Sequence, residues 1–330
     1  MDKLAFIQSF QQELIQRFSG AQNWWPKSLF HFTHFTNAAN IIEAGALYSR
    51  KRAEELGLMH NDNANQSVIA LTRDELKNNV RLYFGPSTPT QYKNEGIRPK
   101  SEIEEGGHCP VPVMFVFDFA KVFTQASPRF TNGNLAKNPI IFQNIEDLNV
   151  LNFEHIYHRT YFSPEHRDQI INARHSEVLV EDELPLDPYL KVICVRSEAE
   201  KETFLHAIRS PELQEKYRHK IFIQPQTGIF INEWLYVKKV TFAEKMLQIE
   251  WHPCTKSVCE QAFKFQISAN SSAGKLSKDI DEWHPSKPVQ KFKLPDSYIA
   301  ATTQIELTIK LDGHLAYQAK IANSTQQRTE

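Results

Sequence analysis

A carboxylate stands at the entrance of an apolar run of the sequence. Glu177 directly precedes Val178-Leu179-Val180, a run that predicts a buried strand, and it follows a predicted helix over 164–174. Burying an unpaired carboxylate costs on the order of several kcal/mol, so Glu177 either points to solvent at the rim, meets a partner, or is kept for chemistry. Arg174 and His175 are its nearest partners in the sequence. A reaction that builds positive charge on its substrate would need such a fixed carboxylate.

An earlier strand and helix carry further side chains that could bind a ligand. Alternation over 29–35 predicts a strand with His31 and Thr33 on one face. A helix is predicted to begin at Asn37 and to stop at Gly45, because glycine readily ends a helix in the left-handed conformation. Taken alone, the histidine fits a satisfied core position as well as a binding site.

A second alternating segment has an unusual polar face. The pattern over 80–84 predicts a strand whose apolar residues face inward, with Arg81 and Tyr83 together on the other face. A proline-rich loop over 85–99 follows, and 111–117 is so apolar that it predicts a strand buried on both faces. The tyrosine could be an ordinary core residue or could offer a flat face to a ligand. Three more strands are predicted at 192–195, 221–223 and 230–237.

The pattern changes from about residue 240 onward to short alternating strands separated by polar, proline and glycine clusters. Strands are predicted at 246–251, 263–267 and 305–311, and Asp312-Gly313 predicts a hairpin turn. The sequence therefore predicts a first domain over 1–238 and a smaller, sandwich-like all-β domain over 239–330.

Composition is that of an ordinary globular protein. The 330 residues carry 38 basic and 39 acidic side chains, a net charge of -1, so a nucleic-acid partner would need a local basic surface. Four cysteines are too few and too scattered for a disulfide scaffold and favour a reducing compartment. No segment is typical of a signal peptide or membrane span, so we expect a cytoplasmic protein with no membrane partner. No Gly-x-Gly-x-x-Gly motif follows a strand, which argues against a Rossmann site for a dinucleotide.

Four stretches, in order along the chain, together resemble the DarT family of bacterial toxins. They are Phe-His-Phe-Thr-His-Phe-Thr-Asn at 30–37, Val-Arg-Leu-Tyr-Phe-Gly-Pro-Ser-Thr-Pro at 80–89, Phe-Thr-Asn-Gly-Asn at 130–134 and Arg-His-Ser-Glu-Val-Leu-Val at 174–180. Members of this family are ADP-ribosyltransferases, which attach ADP-ribose from NAD to a nucleic-acid base. The resemblance implies an α/β (α+β) fold with a split, bent β-core and flanking helices, and a toxin of a toxin-antitoxin or phage-defence system.

The resemblance also implies roles for residues. Glu177 corresponds to the catalytic glutamate. The family's arginine-rich helix has no clear counterpart, so the catalytic arginine stays open, with Arg73 first and Arg81 and Arg52 behind it. Residues expected to bind NAD are His31, Thr33, Asn37, Tyr83 and Arg81. We expect His31 to donate hydrogen bonds to ribose hydroxyls or to the carboxamide.

The acceptor is expected to be a base in single-stranded DNA or RNA, because pairing and stacking hide ring nitrogens within a duplex. The residues expected to contact it are Tyr92, Arg98, Arg159, Arg174 and His175, a mixture suited to phosphate contacts and base stacking. Three alternatives remain open: a transferase that modifies proteins, an NAD glycohydrolase, and an inactive nucleic-acid-binding module. An antitoxin, and beyond it a chaperone, are the expected protein partners.

A zinc site is a weaker interpretation of the C-terminal region. His252, Cys254, Cys259 and His284 could supply ligands, but the cysteines are four residues apart and lack the usual tight pair. We therefore expect no metal and take NAD to be the substrate.

Overall fold

A computed structural model describes residues 2–58, 74–103, 107–224, 228–243, 245–256, 260–285, 287–300 and 304–322. The first part of the chain is a mixed α/β structure and the last part is all β apart from one short helix, so the predicted combination of an α/β part and an all-β part is confirmed. Helices in the described ranges are α1 Lys3–Arg17, α2 Phe35–Ala44, α3 Arg50–Glu55, α4 Asp74–Lys77, α5 Pro89–Asn94, α6 Phe119–Gln125, α7 Phe153–Ile156, α8 Pro164–Ala173, α9 Leu186–Tyr189, α10 Glu198–Ala207, α11 Pro211–Arg218 and α12 Asp296–Ala300. Short 3-10 segments are Gly20–Gln22, Trp25–Lys27, Lys100–Glu102, Leu135–Lys137 and Ile145–Val150.

An eight-stranded sheet organises the first part of the chain. Its strand order is β10-β9-β4-β1-β3-β7-β5-β6, and all neighbours are antiparallel except the parallel pair of β9 and β10. The strands are β1 Ser28–His34, β3 Asn79–Tyr83, β4 Pro112–Asp118, β5 Arg129–Thr131, β6 Ile141–Phe142, β7 Glu177–Glu181, β9 Leu190–Val195 and β10 Ile221–Ile223. A two-stranded sheet of β2 Ala46–Tyr48 and β8 Glu183–Pro185 lies beside it.

The eight-stranded sheet consists of two halves that meet at one point. Strands β1 and β4 share seven registered pairs, whereas β1 and β3 share a single pair, Phe30 with Tyr83. Backbone groups that do not pair across a sheet must find other partners. The junction between β1 and β3 is therefore where side chains can enter between the two halves.

The strand β1 and helix α2 follow from local sequence. Strand β1 ends at His34, which caps α2 by accepting a hydrogen bond from the Thr36 backbone N–H, and Gly45 ends the helix at a φ of 70°. The helix thus begins at Phe35, two residues before the predicted start at Asn37. Positive φ is inexpensive only for a residue without a Cβ, which explains the glycine.

An aromatic core fixes the apolar side of β3 and β5. Phe84, Phe119, Phe123, Phe130 and Phe153 are buried and in mutual ring contact, with ring centroids 4.4 Å apart for Phe119 and Phe123 and 5.6 Å apart for Phe84 and Phe153. Aromatic pairs at such separations stabilise the core beyond simple burial of area. Because residues of a strand alternate between faces, this packing leaves the other face of β3 for its polar side chains.

Two antiparallel sheets form the C-terminal part. One has the order β11-β12-β15 and the other the order β14-β13-β16-β17. Their strands are β11 Tyr236–Ala243, β12 Met246–His252, β13 Phe263–Ser271, β14 Gly274–Trp283, β15 Val289–Lys293, β16 Gln304–Leu311 and β17 His314–Ala322. The turn between β16 and β17 has positive φ at both Asp312 and Gly313, as the hairpin prediction requires.

The predicted strand at 230–237 is wrong for most of its length, because 228–234 is irregular and only β11 is extended. Glu95 explains the irregular path, since its carboxylate accepts hydrogen bonds from the backbone N–H groups of Ile231 and Asn232. Strand β11 also crosses the expected domain boundary at 238/239. We therefore propose that the second domain begins just before β11. A second hydrophobic cluster, which includes Ile97 and Ala199 of the first part, draws most of its members from Leu235 onward.

The two parts of the chain contact each other through α10 and β17. The Tyr317 hydroxyl donates to Glu202 Oε2 at 2.6 Å, and the Gln318 backbone N–H donates to Thr203 Oγ1 at 3.1 Å. Helix α10 in turn packs against α2. Helix α10 thus contacts both the C-terminal strand β17 and the helix that follows β1.

The bonding state of the cysteines, the grouping of metal-ligating side chains and the length of the helices concern three further expectations. Cys109 and Cys194 are free and buried, but Cys254 is disulfide-bonded, which differs from the expectation drawn from cysteine spacing. The sulfur of a disulfide is not a thiolate, so Cys254 does not supply a zinc ligand in this state. Cys259 lies outside the described residues. Within the described ranges no three His, Cys, Asp or Glu side chains are grouped to hold a metal. No helix in those ranges is long and apolar enough to cross a membrane.

Candidate active site

Strands β3 and β7 bring Glu177, predicted to be catalytic, next to two residues predicted to bind NAD, Tyr83 and Arg81. In the register of the sheet, Tyr83 on β3 pairs with Glu177 on β7 and with Phe30 on β1, the residue before His31. Directly opposed residues of antiparallel strands have their Cβ atoms about 5 Å apart. The side chains of Glu177 and Tyr83 are therefore neighbours although 94 positions separate them in the sequence.

Glu177 is only 3% exposed. Its carboxylate accepts a hydrogen bond from the Tyr83 hydroxyl, and its Oε2 lies 3.7 Å from Arg81 Nε. Burial raises the pKa of Glu177, while the charge of Arg81 and the hydrogen bond from Tyr83 act in the opposite direction. Oε2 is buried and has no hydrogen-bond partner among the described residues.

Tyr83 is held by two polar neighbours. Its hydroxyl hydrogen-bonds with Glu177 and with the Thr90 side chain of α5, and burial raises its pKa well above the ordinary range. The phenol therefore stays protonated and can act as a donor at neutral pH. Thr90 is a site residue that sequence reasoning missed, because the sequence predicted a proline-rich loop over 85–99 where the structure has α5.

His31 bridges the junction of the two half-sheets. Its Nδ1 lies 3.1 Å from the Arg81 backbone oxygen. A carbonyl oxygen only accepts, so Nδ1 carries the proton. Burial lowers the pKa of His31, so the ring is neutral and Nε2 is an acceptor. In this tautomer His31 offers an acceptor where a donor was expected, and its binding to NAD stays a prediction.

Thr33 and Asn37 lie further along the same segment. Thr33 is buried on β1 opposite Val113, and Asn37 is half-buried in the first turn of α2. Both remain predictions for NAD binding, with Asn37 the more accessible of the two.

The three arginine candidates are placed differently. Of the two candidates that the structure describes, Arg81 faces Glu177. Arg52 pairs instead with Asp182 and with Glu183, at 3.3 Å from the latter, and its guanidinium stacks on Tyr48. Arg73 lies outside the described residues, so its role stays a prediction.

A basic cluster, formed by Lys93, Lys137, Arg159 and Arg174, lies at the C-terminal end of α8, where Arg174 and His175 follow the helix. The cations interact with one another or with His175, and the pKa of His175 is lowered to about 4 by burial and then by Arg174, Lys137 and Lys93. The Arg174 guanidinium donates to the Ser87 carbonyl in the loop after β3.

The two arginines of the basic cluster have no acidic partner among the described residues. Arg159 instead lies over Trp25, 5.6 Å from the ring centroid, and so close to Gly228 that a Cβ at that position would overlap its guanidinium. Tyr161, two residues from Arg159, is 89% exposed. Lys137 is a further site residue that sequence reasoning missed, because the cluster exists only in the folded chain.

Two residues predicted to bind nucleic acid lie elsewhere. Arg98 is buried, its guanidinium is 4.4 Å from the centroid of Trp234 and it donates to the Tyr92 carbonyl, so it serves the interior. Tyr92 is half-exposed, and its hydroxyl is 3.5 Å from Lys256 Nζ of the C-terminal part.

A comparison with protein families now identifies the chain. Residues 30–227 match the sequence model of the family described as DarT, ssDNA thymidine ADP-ribosyltransferase. The chain belongs to the DarT family. It is an ADP-ribosyltransferase that uses NAD.

Solved structures of DarT proteins are similar to this chain. Thermus sp. 2.9 DarT in complex with ADP-ribosylated ssDNA is 20% identical, with a TM-score of 0.48, and the match covers 61% of this chain and 96% of that one. The same DarT in complex with NAD+ gives 20% identity, a TM-score of 0.46 and coverages of 61% and 97%. Thermosipho africanus DarTG in complex with ADP-ribose gives 16% identity, a TM-score of 0.47 and coverages of 66% and 54%. No curated protein matches the chain significantly.

The residues of this DarT chain suit the ribose next to nicotinamide. Glu177 Oε2 and His31 Nε2 are both acceptors, and ribose hydroxyls are donors. Tyr83 supplies a phenol that holds the carboxylate in one orientation. A fixed carboxylate can stabilise positive charge that develops on a nearby carbon.

Proposed function

We propose that the protein transfers ADP-ribose from NAD to a thymine base of single-stranded DNA, with Glu177 as the catalytic carboxylate. The observation that carries the proposal is the environment of Glu177, a buried carboxylate that Tyr83 and Arg81 hold while one oxygen has no hydrogen-bond partner among the described residues. Such a buried polar atom requires an explanation, and a ribose hydroxyl of the substrate supplies one. The description of the family supports thymine and single-stranded DNA as the acceptor.

The chemistry requires a fixed negative charge near the ribose. The bond between C1′ and the nicotinamide nitrogen breaks, its electron pair leaves with nicotinamide, and positive charge develops on the ribose. Glu177 stabilises this charge at short range in a site with little water, where electrostatic interactions are strong. The ring nitrogen of thymine that carries a hydrogen then bonds to C1′ and loses its proton to a base, a role that Glu177 is placed to fill once ionised.

His31 contributes as an acceptor. Its protonated Nδ1 is held by the Arg81 carbonyl, so Nε2 can receive a hydrogen bond from a ribose hydroxyl. A neutral imidazole also avoids placing a second positive charge beside the ribose as its own charge develops. The lowered pKa of His31 keeps the ring neutral at physiological pH.

The basic cluster provides a path for the DNA backbone. Arg159 and Arg174 have no acidic partner in the described part of the chain, and Arg174 is three positions before Glu177. Guanidinium groups bind phosphate through paired hydrogen bonds. We place the phosphates flanking the target base here, with the exposed ring of Tyr161 as a stacking surface. Arg98 is not part of this interface, because it is buried.

Labelled NAD tests the acceptor class. The protein is incubated with NAD labelled in the adenylate part and, in separate reactions, with single-stranded DNA, RNA or a protein extract. Transfer of label to DNA alone, lost in Glu177→Ala, is the expected result. Label on protein would favour a protein-modifying enzyme. Free ADP-ribose without any labelled polymer would favour an NAD glycohydrolase.

A toxic role follows from the proposed product. ADP-ribose on the pairing edge of thymine blocks base pairing and hence copying of the strand, so the producing cell must restrain the enzyme. We therefore propose a cytoplasmic toxin with an antitoxin partner, and a chaperone as a further partner. Induced expression of the wild-type chain should stop growth, and Glu177→Ala should not. Growth equally impaired by both would contradict the proposal.

A further inference from the structure

We propose that Thr131 is a positioning residue that fixes the backbone of Glu177 for the transfer reaction. The inference rests on the proposed role of Glu177. Thr131 is the last residue of β5, and β5 pairs with β7 through Phe130 and Val178. In this antiparallel register, the residue after Phe130 lies beside the residue before Val178, which is Glu177 itself.

The hydroxyl of Thr131 makes two oriented hydrogen bonds. Its Oγ1 accepts from the Glu177 backbone N–H at 3.0 Å and donates to the Gly133 carbonyl at 2.9 Å. A hydroxyl has one proton, and Gly133 takes it, so a lone pair is directed at Glu177. Thr131 is fully buried, and therefore water does not replace this bond.

The turn after Thr131 is itself locked by the helix that leads to Glu177. Asn172, in the last turn of α8, accepts a hydrogen bond from the Asn134 backbone N–H through Oδ1 at 3.2 Å. Its side-chain amide also lies against Gly133, where an added Cβ would come within 2.3 Å of Nδ2. A larger residue at 133 would have to displace the Asn172 amide and its hydrogen bond to Asn134. The end of α8 thus holds the turn that carries the Thr131 hydroxyl.

This arrangement determines where the carboxylate sits. The side chain of Glu177 is anchored by Tyr83 and its backbone by Thr131, at opposite ends of the residue. Displacing a catalytic group by about 1 Å can reduce rate about 100-fold. Loss of the hydroxyl would also leave the buried Glu177 N–H without a partner, which favours a shift of the strand entrance.

The test compares Thr131→Val, which is isosteric but lacks the hydroxyl, with Thr131→Ser, which retains it. Thr203→Val is a matched control, because the buried Thr203 hydroxyl also accepts from a backbone N–H, that of Gln318, but far from the site. We expect kcat for DNA modification to fall about 10- to 100-fold in Thr131→Val with KM for NAD changed less than about twofold. Thr131→Ser should recover most of kcat, and Thr203→Val should lower Tm but leave kcat unchanged.

Wild-type kcat in a folded Thr131→Val, or a loss of Tm without loss of kcat as in the control, would overturn the inference. If Thr131→Val does not fold, Asn172→Ala is the second test, because Asn172 is half-buried. We expect its kcat to fall more than about fivefold, and an unchanged kcat would contradict the proposal. Glu177→Ala is measured alongside. Activity retained in that variant refutes the proposed function, whereas its loss together with a fully active Thr131→Val refutes only the role of Thr131.

Discussion

Removal of the Arg81 charge should make the reaction more sensitive to acid. Arg81 Nε is 3.7 Å from Glu177 Oε2, and two unit charges at that separation interact by about 4 kcal/mol at an effective dielectric constant of about 20. The Arg81 side chain is 32% exposed, so solvent screening reduces this to about 1–2 kcal/mol.

The sign of the effect follows from which form of Glu177 the arginine favours. Arg81 lowers the pKa of Glu177 against the larger effect of burial. In Arg81→Gln that pKa rises further, so a larger share of Glu177 is protonated at the acid side of the profile. An energy of about 1–2 kcal/mol corresponds to a loss of activity of about 5- to 30-fold there. At higher pH, where Glu177 is ionised in both proteins, the two rates should converge.

The assay is kcat for modification of a single-stranded oligonucleotide at saturating NAD, measured from pH 5 to pH 9. Arg52→Gln is the control, because Arg52 pairs with Asp182 and Glu183 and should leave the profile unchanged. A uniform loss at every pH with a raised KM for NAD would refute the reasoning, since it would mean that Arg81 binds NAD and does not tune Glu177.

Three further predictions concern stability and DNA binding. Burial raises the pKa of Glu177, so its carboxyl favours the folded state below its ordinary pKa of 4.5 and loses this contribution as pH rises. Glu177→Gln should therefore have a higher Tm than wild type at pH 7, and the difference should vanish near pH 4. An unchanged Tm at pH 7 would count against a buried charge. Arg174→Gln should weaken binding of single-stranded oligonucleotides regardless of sequence and reduce the slope of log K against log salt by about 0.7, as measured by fluorescence anisotropy; an unchanged slope would exclude a phosphate contact. Leu82→Ala should lower the free energy of unfolding in urea by about 2–5 kcal/mol, because Leu82 is fully buried in β3, and a loss under 1 kcal/mol would mean that the site refills.

Much of the scaffold of the site could be predicted from local sequence. Strand β3 runs over Asn79–Tyr83 and β7 over Glu177–Glu181, close to their predicted places, because alternation and apolar runs directly reflect burial. The register between the two strands could not be predicted, because sequence periodicity does not say which residue faces Glu177. That Tyr83 is the residue opposite Glu177 is a property of strand pairing alone.

The sequence was least able to predict which arginines are buried in the interior and which lie at the site. Arg98 and Arg174 both stand in polar surroundings in the sequence, yet Arg98 packs on Trp234, which is 136 positions away, while Arg174 reaches the loop after β3. Neither partner is near in sequence. Thr131 gave a signal only through its place in the Phe-Thr-Asn-Gly-Asn stretch, since its hydrogen bond to Glu177 spans 46 residues.

The most direct test of the central claim is mass spectrometry of single-stranded oligonucleotides after incubation with the protein and NAD. Two strands that differ only by one thymine replaced with cytosine are compared. We expect the mass of one added ADP-ribose on the thymine strand, with fragmentation placing it on the thymine base, and no addition on the cytosine strand or with Glu177→Ala. Equal modification of both strands, or modification that persists without Glu177, would contradict it.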